Sequence, residues 1–119
     1  MNRRTLLTAL PAVLITAPAF AADKKWRVGV IGHTGRGNYG HGLDTMWLRI
    51  PESEIVAVAD ADAKGLEGAK KKLSVTAGFT DYKQMLAEIK PDIVAVGPRH
   101  VDQHHDMIIA AALAGARGV

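Results

Sequence analysis

The sequence predicts an α/β fold, a doubly wound parallel sheet incomplete at its C-terminus, and three observations carry that prediction. Short charge-free runs rich in β-branched residues recur at 28–31, 55–59 and 93–96, and such stiff side chains favour extended backbone. Runs apolar on both faces belong inside a parallel sheet covered by helices. The stretches between them carry apolar residues at helical spacing, the alternation expected of βαβ units. Finally, the first apolar run stops in a glycine cluster, Gly32, Gly35, Gly37 and Gly40, which marks a tight turn at the end of a buried strand.

Residues 1–21 read as an export signal. Arg3 and Arg4 precede a charge-free run from Leu6 to Phe20, and Ala19-Phe20-Ala21 supplies small residues for cleavage. Pro11 and Pro18 interrupt the run, which is shorter than the roughly 20 apolar residues of a membrane-spanning helix. Asn2-Arg3-Arg4-Thr5-Leu6-Leu7 resembles a twin-arginine signal, used for proteins exported in the folded state; a general secretory signal and an uncleaved anchor are the alternatives. The protein is expected to be exported and periplasmic, meeting the membrane only during export. Residues 22–119 form one domain.

Within that domain the first strand is expected from Trp26 to Ile31. A helix follows from near Gly40 to Arg49, placing Leu43, Met46 and Trp47 on one face, and Pro51 closes it. Ile55 to Ala59 forms the second strand and ends at Asp60. Asp62 caps a helix that runs to Leu73. Ala77 to Phe79 is a short third strand, after which Thr80 or Asp81 caps a helix with Tyr82, Met85, Leu86 and Ile89 at helical spacing. Lys90-Pro91 ends that helix. Ile93 to Val96 is the fourth strand and breaks at Gly97-Pro98. Gln103 to Ala114 is a helix capped by Asp102 and stopped by Gly115. Gly118-Val119 opens a fifth strand, so the fold unit is expected to be truncated there.

Charge and composition exclude several classes. The formal net charge of the whole chain is +3, but loss of Arg3 and Arg4 with the signal lowers Lys+Arg from 15 to 13 against 12 acidic residues. That near-neutral balance removes the argument for a nucleic-acid partner. Lys70, Lys71 and Lys72 lie beside a Leu66, Ala69, Leu73 stripe and read as a solvated helix face. The chain has no cysteine, which removes disulfides and thiolate chemistry. Ser53 and Ser74 have no evident base partner, and the absence of a Gly-x-Ser-x-Gly elbow disfavours a hydrolase.

The turn after the first strand carries the main functional signal. Gly32, His33, Thr34, Gly35, Arg36 and Gly37 match the dinucleotide fingerprint G-x-G-x-x-G at its first and third glycines, with Thr34 at the middle position. A helix starting just beyond would direct its free N–H groups and dipole at a phosphate. Asp60 ends the second strand some twenty residues on, where a carboxylate accepts from the adenosine ribose hydroxyls. A carboxylate there favours NAD over NADP; Arg36 leaves NADP possible, since it reaches either a pyrophosphate or a 2′-phosphate. His100, His104 and His105 stand near Asp102 and Asp106, but the run straddles a strand end and a helix start, so no metal ligand is assigned. His33 and His41 are ambiguous in the same way.

These residues together resemble the N-terminal Rossmann domain of the glucose-fructose oxidoreductase, inositol dehydrogenase and MocA-like family (Gfo/Idh/MocA). The blocks that carry the resemblance are VGVIG with its glycine loop, VAVADAD from Val56, FTDYKQML from Phe79, KPDIVAVGPRH from Lys90 and AGARGV from Ala114. The resemblance implies NAD(P) binding and, in an intact protein, hydride transfer between nicotinamide and a sugar or polyol. It also implies that Gly97 and Pro98 border the nicotinamide. The family's Glu-Lys-Pro motif, whose lysine assists proton transfer, and the second domain that binds substrate and mediates oligomers are expected after Val119, so no catalytic residue is assigned here. The competing expectations are a nucleotide-holding regulatory or structural module, a nonfunctional fragment, and a metal-binding protein built on the histidines.

Overall fold

A computed structural model of the protein describes residues 24–119; the expected export signal lies outside the described residues. Four parallel strands form one sheet in the order β3-β2-β1-β4. β1 is Trp26–Gly32, β2 is Ser53–Asp60, β3 is Gly78–Phe79 and β4 is Ile93–Val96. Three α-helices follow β2, β3 and β4: α1 (Ala63–Leu73), α2 (Tyr82–Ile89) and α3 (Val101–Leu113). Among the described residues, no helix is long and apolar enough to cross a membrane.

The sheet is buried on both faces because its side chains alternate between two apolar layers. Val28, Val30, Val58 and Ala95 meet Leu66, Ala69 and Leu73 of α1 on one face. Ile31, Ala57, Ala59, Val94 and Val96 meet Met85, Leu86, Met107 and Ala111 of α2 and α3 on the other. Local signals start and stop the helices. Asp62 accepts from the Gly65 N–H at 2.7 Å, and Asp81 accepts from the Lys83 N–H at 2.9 Å. Gly115, at φ +94°, receives the chain after α3, as the left-handed conformation there requires.

The structure departs from the expected elements in two places. No α-helix joins β1 to β2: residues 33–44 run through turns, and only a five-residue 3-10 helix, Thr45–Arg49, follows. Gly35, Gly37, Asn38, Gly40 and Gly42 all have positive φ, which an α-helix cannot accommodate. Leu43 and Met46 are consequently exposed, and only Trp47 packs partly on the core. At α3 the N-cap is His100, without a side-chain cap bond, while Asp102 lies in the first turn. Asp102 is therefore not the cap; it pairs instead with Arg36 of the β1–β2 connection at 3.1 Å. Gly118 makes a single parallel bridge to Ile93, in the place expected for a fifth strand.

Candidate functional site

The strand order reverses at β1, whose neighbours β2 and β4 lead away in opposite directions. In open parallel sheets the crevice outside the carboxyl ends of the strands at such a point receives ligands. Here a cavity of about 210 Å³ opens at the ends of β1 and β2. Gly32, His33, Asp60 and Ala61 form one wall, and Asp81, Tyr82, Gln103 and Met107 form the other. The second wall was not legible as a site in the sequence, because those residues serve there as helix cap and helix face.

The glycine-rich segment is folded as a tight hairpin. The His33 N–H donates to the Asn38 carbonyl at 2.9 Å, and the Asn38 and Arg36 N–H groups donate back to the His33 carbonyl at 3.0 and 2.9 Å. The Gly35 N–H donates to Asn38 Oδ1 at 3.0 Å. These donors are spent within the hairpin, and the helix N-terminus expected beyond it does not form. Arg36, at the hairpin tip, carries a positive charge, and its guanidinium donates to both oxygens of Asp102, at 3.2 and 3.1 Å.

Asp60 anchors this hairpin to the sheet. Its carboxylate is 1% exposed and receives four hydrogen bonds. The Thr34 N–H and the Asp62 N–H donate to Oδ1 at 3.1 and 2.9 Å, while the Thr34 and Tyr39 hydroxyls donate to Oδ2 at 2.6 and 2.8 Å. A carboxylate offers about four acceptor directions, so this group is saturated by the protein. Burial raises the Asp60 pKa, but the hydrogen bonds from Thr34, Asp62 and Tyr39 outweigh it and leave the group below its ordinary value. Burial, together with the hydrogen bond to Asp60 and the nearby carboxylates, pushes the Tyr39 phenol up and keeps it neutral.

Packing around this cluster explains two glycines by close approach. A Cβ on Gly32 would lie 2.1 Å from Tyr39 Cε1, and one on Gly65 would lie 1.9 Å from Thr34 Oγ1. Tyr39 is itself overlaid by Lys72, whose Nζ is 5.0 Å from the ring centroid. Lys72 pairs with the buried Asp44 at 2.5 Å, so it is not simply part of a solvated lysine face. Sequence reasoning missed Tyr39 and Asp44; an aromatic and an acid inside a glycine-rich loop were the available signal.

Gly97 and Pro98 end β4 beside the hairpin, and the Gly97 N–H donates to the Ile31 carbonyl at 2.8 Å. Pro98 is fully buried. Gly37 lies against the Pro98-Arg99 backbone, where an added Cβ would come within 2.6 Å of the Arg99 nitrogen. The structure thus gathers Gly32 to Gly37, Asp60, Gly97 and Pro98 around one end of the sheet. The remaining histidines do not converge. His33 contacts Gln103 and His41 contacts Arg99, both at 2.7 Å. Among the described residues no group of three or more His, Cys, Asp or Glu side chains could hold a metal ion.

The model of the oxidoreductase family GFO_IDH_MocA, NAD-binding Rossmann fold, matches residues 26–117. A solved structure of scyllo-inositol dehydrogenase from Lactobacillus casei, with bound NAD(H) and scyllo-inositol, is 26% identical with a TM-score of 0.67. Myo-inositol 2-dehydrogenase from Lactobacillus plantarum is 29% identical, again with a TM-score of 0.67. In both comparisons the match covers 80% of this chain and 27% of the other, so the chain spans about a quarter of the length of these proteins. A search of curated proteins returned no match. With its parallel sheet, its crevice at the strand reversal and a family match across nearly all described residues, this chain belongs to the Gfo/Idh/MocA oxidoreductase family and comprises its NAD-binding Rossmann fold.

Proposed function

We propose that this chain holds NAD across the carboxyl end of its sheet, as the cofactor domain of an exported oxidoreductase that moves a hydride between nicotinamide and a sugar or polyol carbon. The observation that carries this reading is the cavity at the ends of β1 and β2, with the hairpin and Asp60 on one side and Tyr82 on the other. The adenosine end of the cofactor fits there. Tyr82 supplies an aromatic face, and burial together with Asp106 and Asp81 raises its pKa, keeping the phenol neutral.

The remaining contacts follow from the same placement. Gly32 to Gly37 face the pyrophosphate, with the Arg36 guanidinium as its charged partner in exchange for the exposed Asp102. Gly97 and Pro98 border the nicotinamide. Asp60 acts on the ribose end as a fixed negative charge, since its acceptor directions are filled. That charge opposes a 2′-phosphate and selects NAD over NADP. When bound, the nicotinamide supplies the hydride acceptor; these residues bind and orient it. The inositol dehydrogenases among the similar structures support a polyol or sugar as the class of substrate. The Arg3-Arg4 pair and the apolar run after it support export, with a periplasmic destination.

Calorimetric titration tests the cofactor assignment. NAD is expected to bind measurably and NADP at least about tenfold more weakly, the difference one unfavourable charge contact produces. Equal affinities would reject the selectivity role of Asp60, and no binding of either would reject the reading itself.

A further inference from the structure

The β1–β2 connection contains no α-helix to hold a phosphate-binding turn in place, yet the hairpin at 33–38 is tightly tied down. We propose that Thr34 and Tyr39 are positioning residues that, by donating their hydroxyls to Asp60, fix the hairpin so that Arg36 stands where it meets the pyrophosphate of the nucleotide. This inference rests on the NAD-binding reading above and adds to it how the anion contact is held.

Three observations support it. Thr34 gives Asp60 both a backbone and a side-chain hydrogen bond, at 3.1 and 2.6 Å, which fixes the orientation of the first hairpin residues and not merely their proximity. Tyr39, just past the other end of the hairpin, gives the same carboxylate a third bond at 2.8 Å. Arg36 is therefore presented by a hairpin clamped at both ends to one carboxylate. The glycines at 32 and 65 make room for the clamp, because their missing Cβ atoms would occupy the Tyr39 ring and the Thr34 hydroxyl. Outside the carboxylate, Lys72 covers the Tyr39 ring and pairs with Asp44, tying the far side of the connection to α1.

The two hydroxyls differ from a general packing role in what they should affect. A misplaced hairpin displaces Arg36, so ligands with a pyrophosphate lose affinity while adenosine, which has none, does not. In the full chain, Tyr39→Phe and Thr34→Val are each expected to weaken ADP and NAD by about tenfold, the effect of losing one hydrogen bond to a charged group. Adenosine affinity should stay within about twofold of the parent, and Thr34→Ser, which keeps the hydroxyl, should restore ADP binding. Should Tyr39→Phe fail to fold, the Thr34→Val and Thr34→Ser pair carries the test alone. Unchanged ADP affinity in the folded variants would overturn the proposal, as would an equal loss of ADP and adenosine. If the parent chain itself binds neither NAD nor ADP, the NAD-binding reading fails before these variants are compared.

Discussion

The two connections that flank β2 solve one problem in different ways. On its C-terminal side, β2 runs into α1, and an amphipathic helix with an Asp62 cap covers the sheet with Leu66, Ala69 and Leu73. On its N-terminal side, the link from β1 buries little apolar surface after Gly32. Tyr39 packs on the core and Trp47 does so partly, while polar contacts through Asp60, Asp44 and Lys72 hold the segment. Helix burial is distributed over many contacts and tolerates moderate change. A buried polar cluster is concentrated, and removal of one acceptor strands several donors.

That contrast is broken most severely at Asp60. Asp60→Ala leaves the Thr34, Asp62 and Tyr39 donors without their acceptor, and we expect a loss of about 4 kcal/mol in urea unfolding, at the upper end for a broken buried network. Truncation in the helical layer should cost slightly less. Met85 of α2 is fully buried against the sheet, and Met85→Ala is expected to cost about 3 kcal/mol through the cavity it leaves. Met85 lies away from the crevice, so the folded fraction of that variant should keep the parent's NAD affinity. A matched loss of affinity in Met85→Ala would show that the helical layer and the polar-held β1–β2 link are not separable.

The same contrast governs what the amino-acid order reveals. β4 was legible to the residue, Ile93 to Val96, because an apolar run between a proline and a Gly-Pro pair has few alternatives. Asp62 was legible as a cap and Asp81 as one of two candidates with Thr80, since capping depends on neighbours three residues away at most. The expected helix at 40–49 failed because the spacing of Leu43, Met46 and Trp47 imitates a helical stripe, whereas the positive φ at Gly40 and Gly42 is invisible to periodicity. Asp102 reads as a cap because of its place before Gln103, and its pairing with Arg36 on the β1–β2 connection is invisible to that local reading. The Asp60 cluster joins positions 34, 39, 60 and 62, and nothing in local spacing reports a contact across two strands. The glycine loop and Asp60 could be placed at one crevice from sequence; their hydrogen bonds to each other could not.

Acid titration sharpens the comparison at a smaller scale. Because Asp60 titrates below its ordinary value in the folded chain, its contribution is fully present above about pH 4 and is lost as pH falls from there through the folded value. Tyr39 has the opposite sign. Its raised pKa means a contribution present below about pH 10 and lost as pH rises beyond it. Stability measured against pH should therefore be steeper below about pH 4 in the parent than in Asp60→Asn, which has no charge to lose. Parallel curves for the two would show that the carboxylate charge adds nothing to the clamp.

The smallest effect on stability is expected at the hairpin's outer contact. The Arg36 and Asp102 side chains are 45% and 69% exposed, so the pair is solvent-screened and Asp102→Ala should shift stability by no more than about 0.5 kcal/mol. Its effect on binding should have the opposite sign. Asp102 competes with the pyrophosphate for the same guanidinium, so its removal frees Arg36 and should tighten NAD by about twofold, the scale of an exposed ion pair. Weaker binding in Asp102→Ala would mean that the pair orients Arg36 toward the ligand, and would move Asp102 from competitor to part of the clamp.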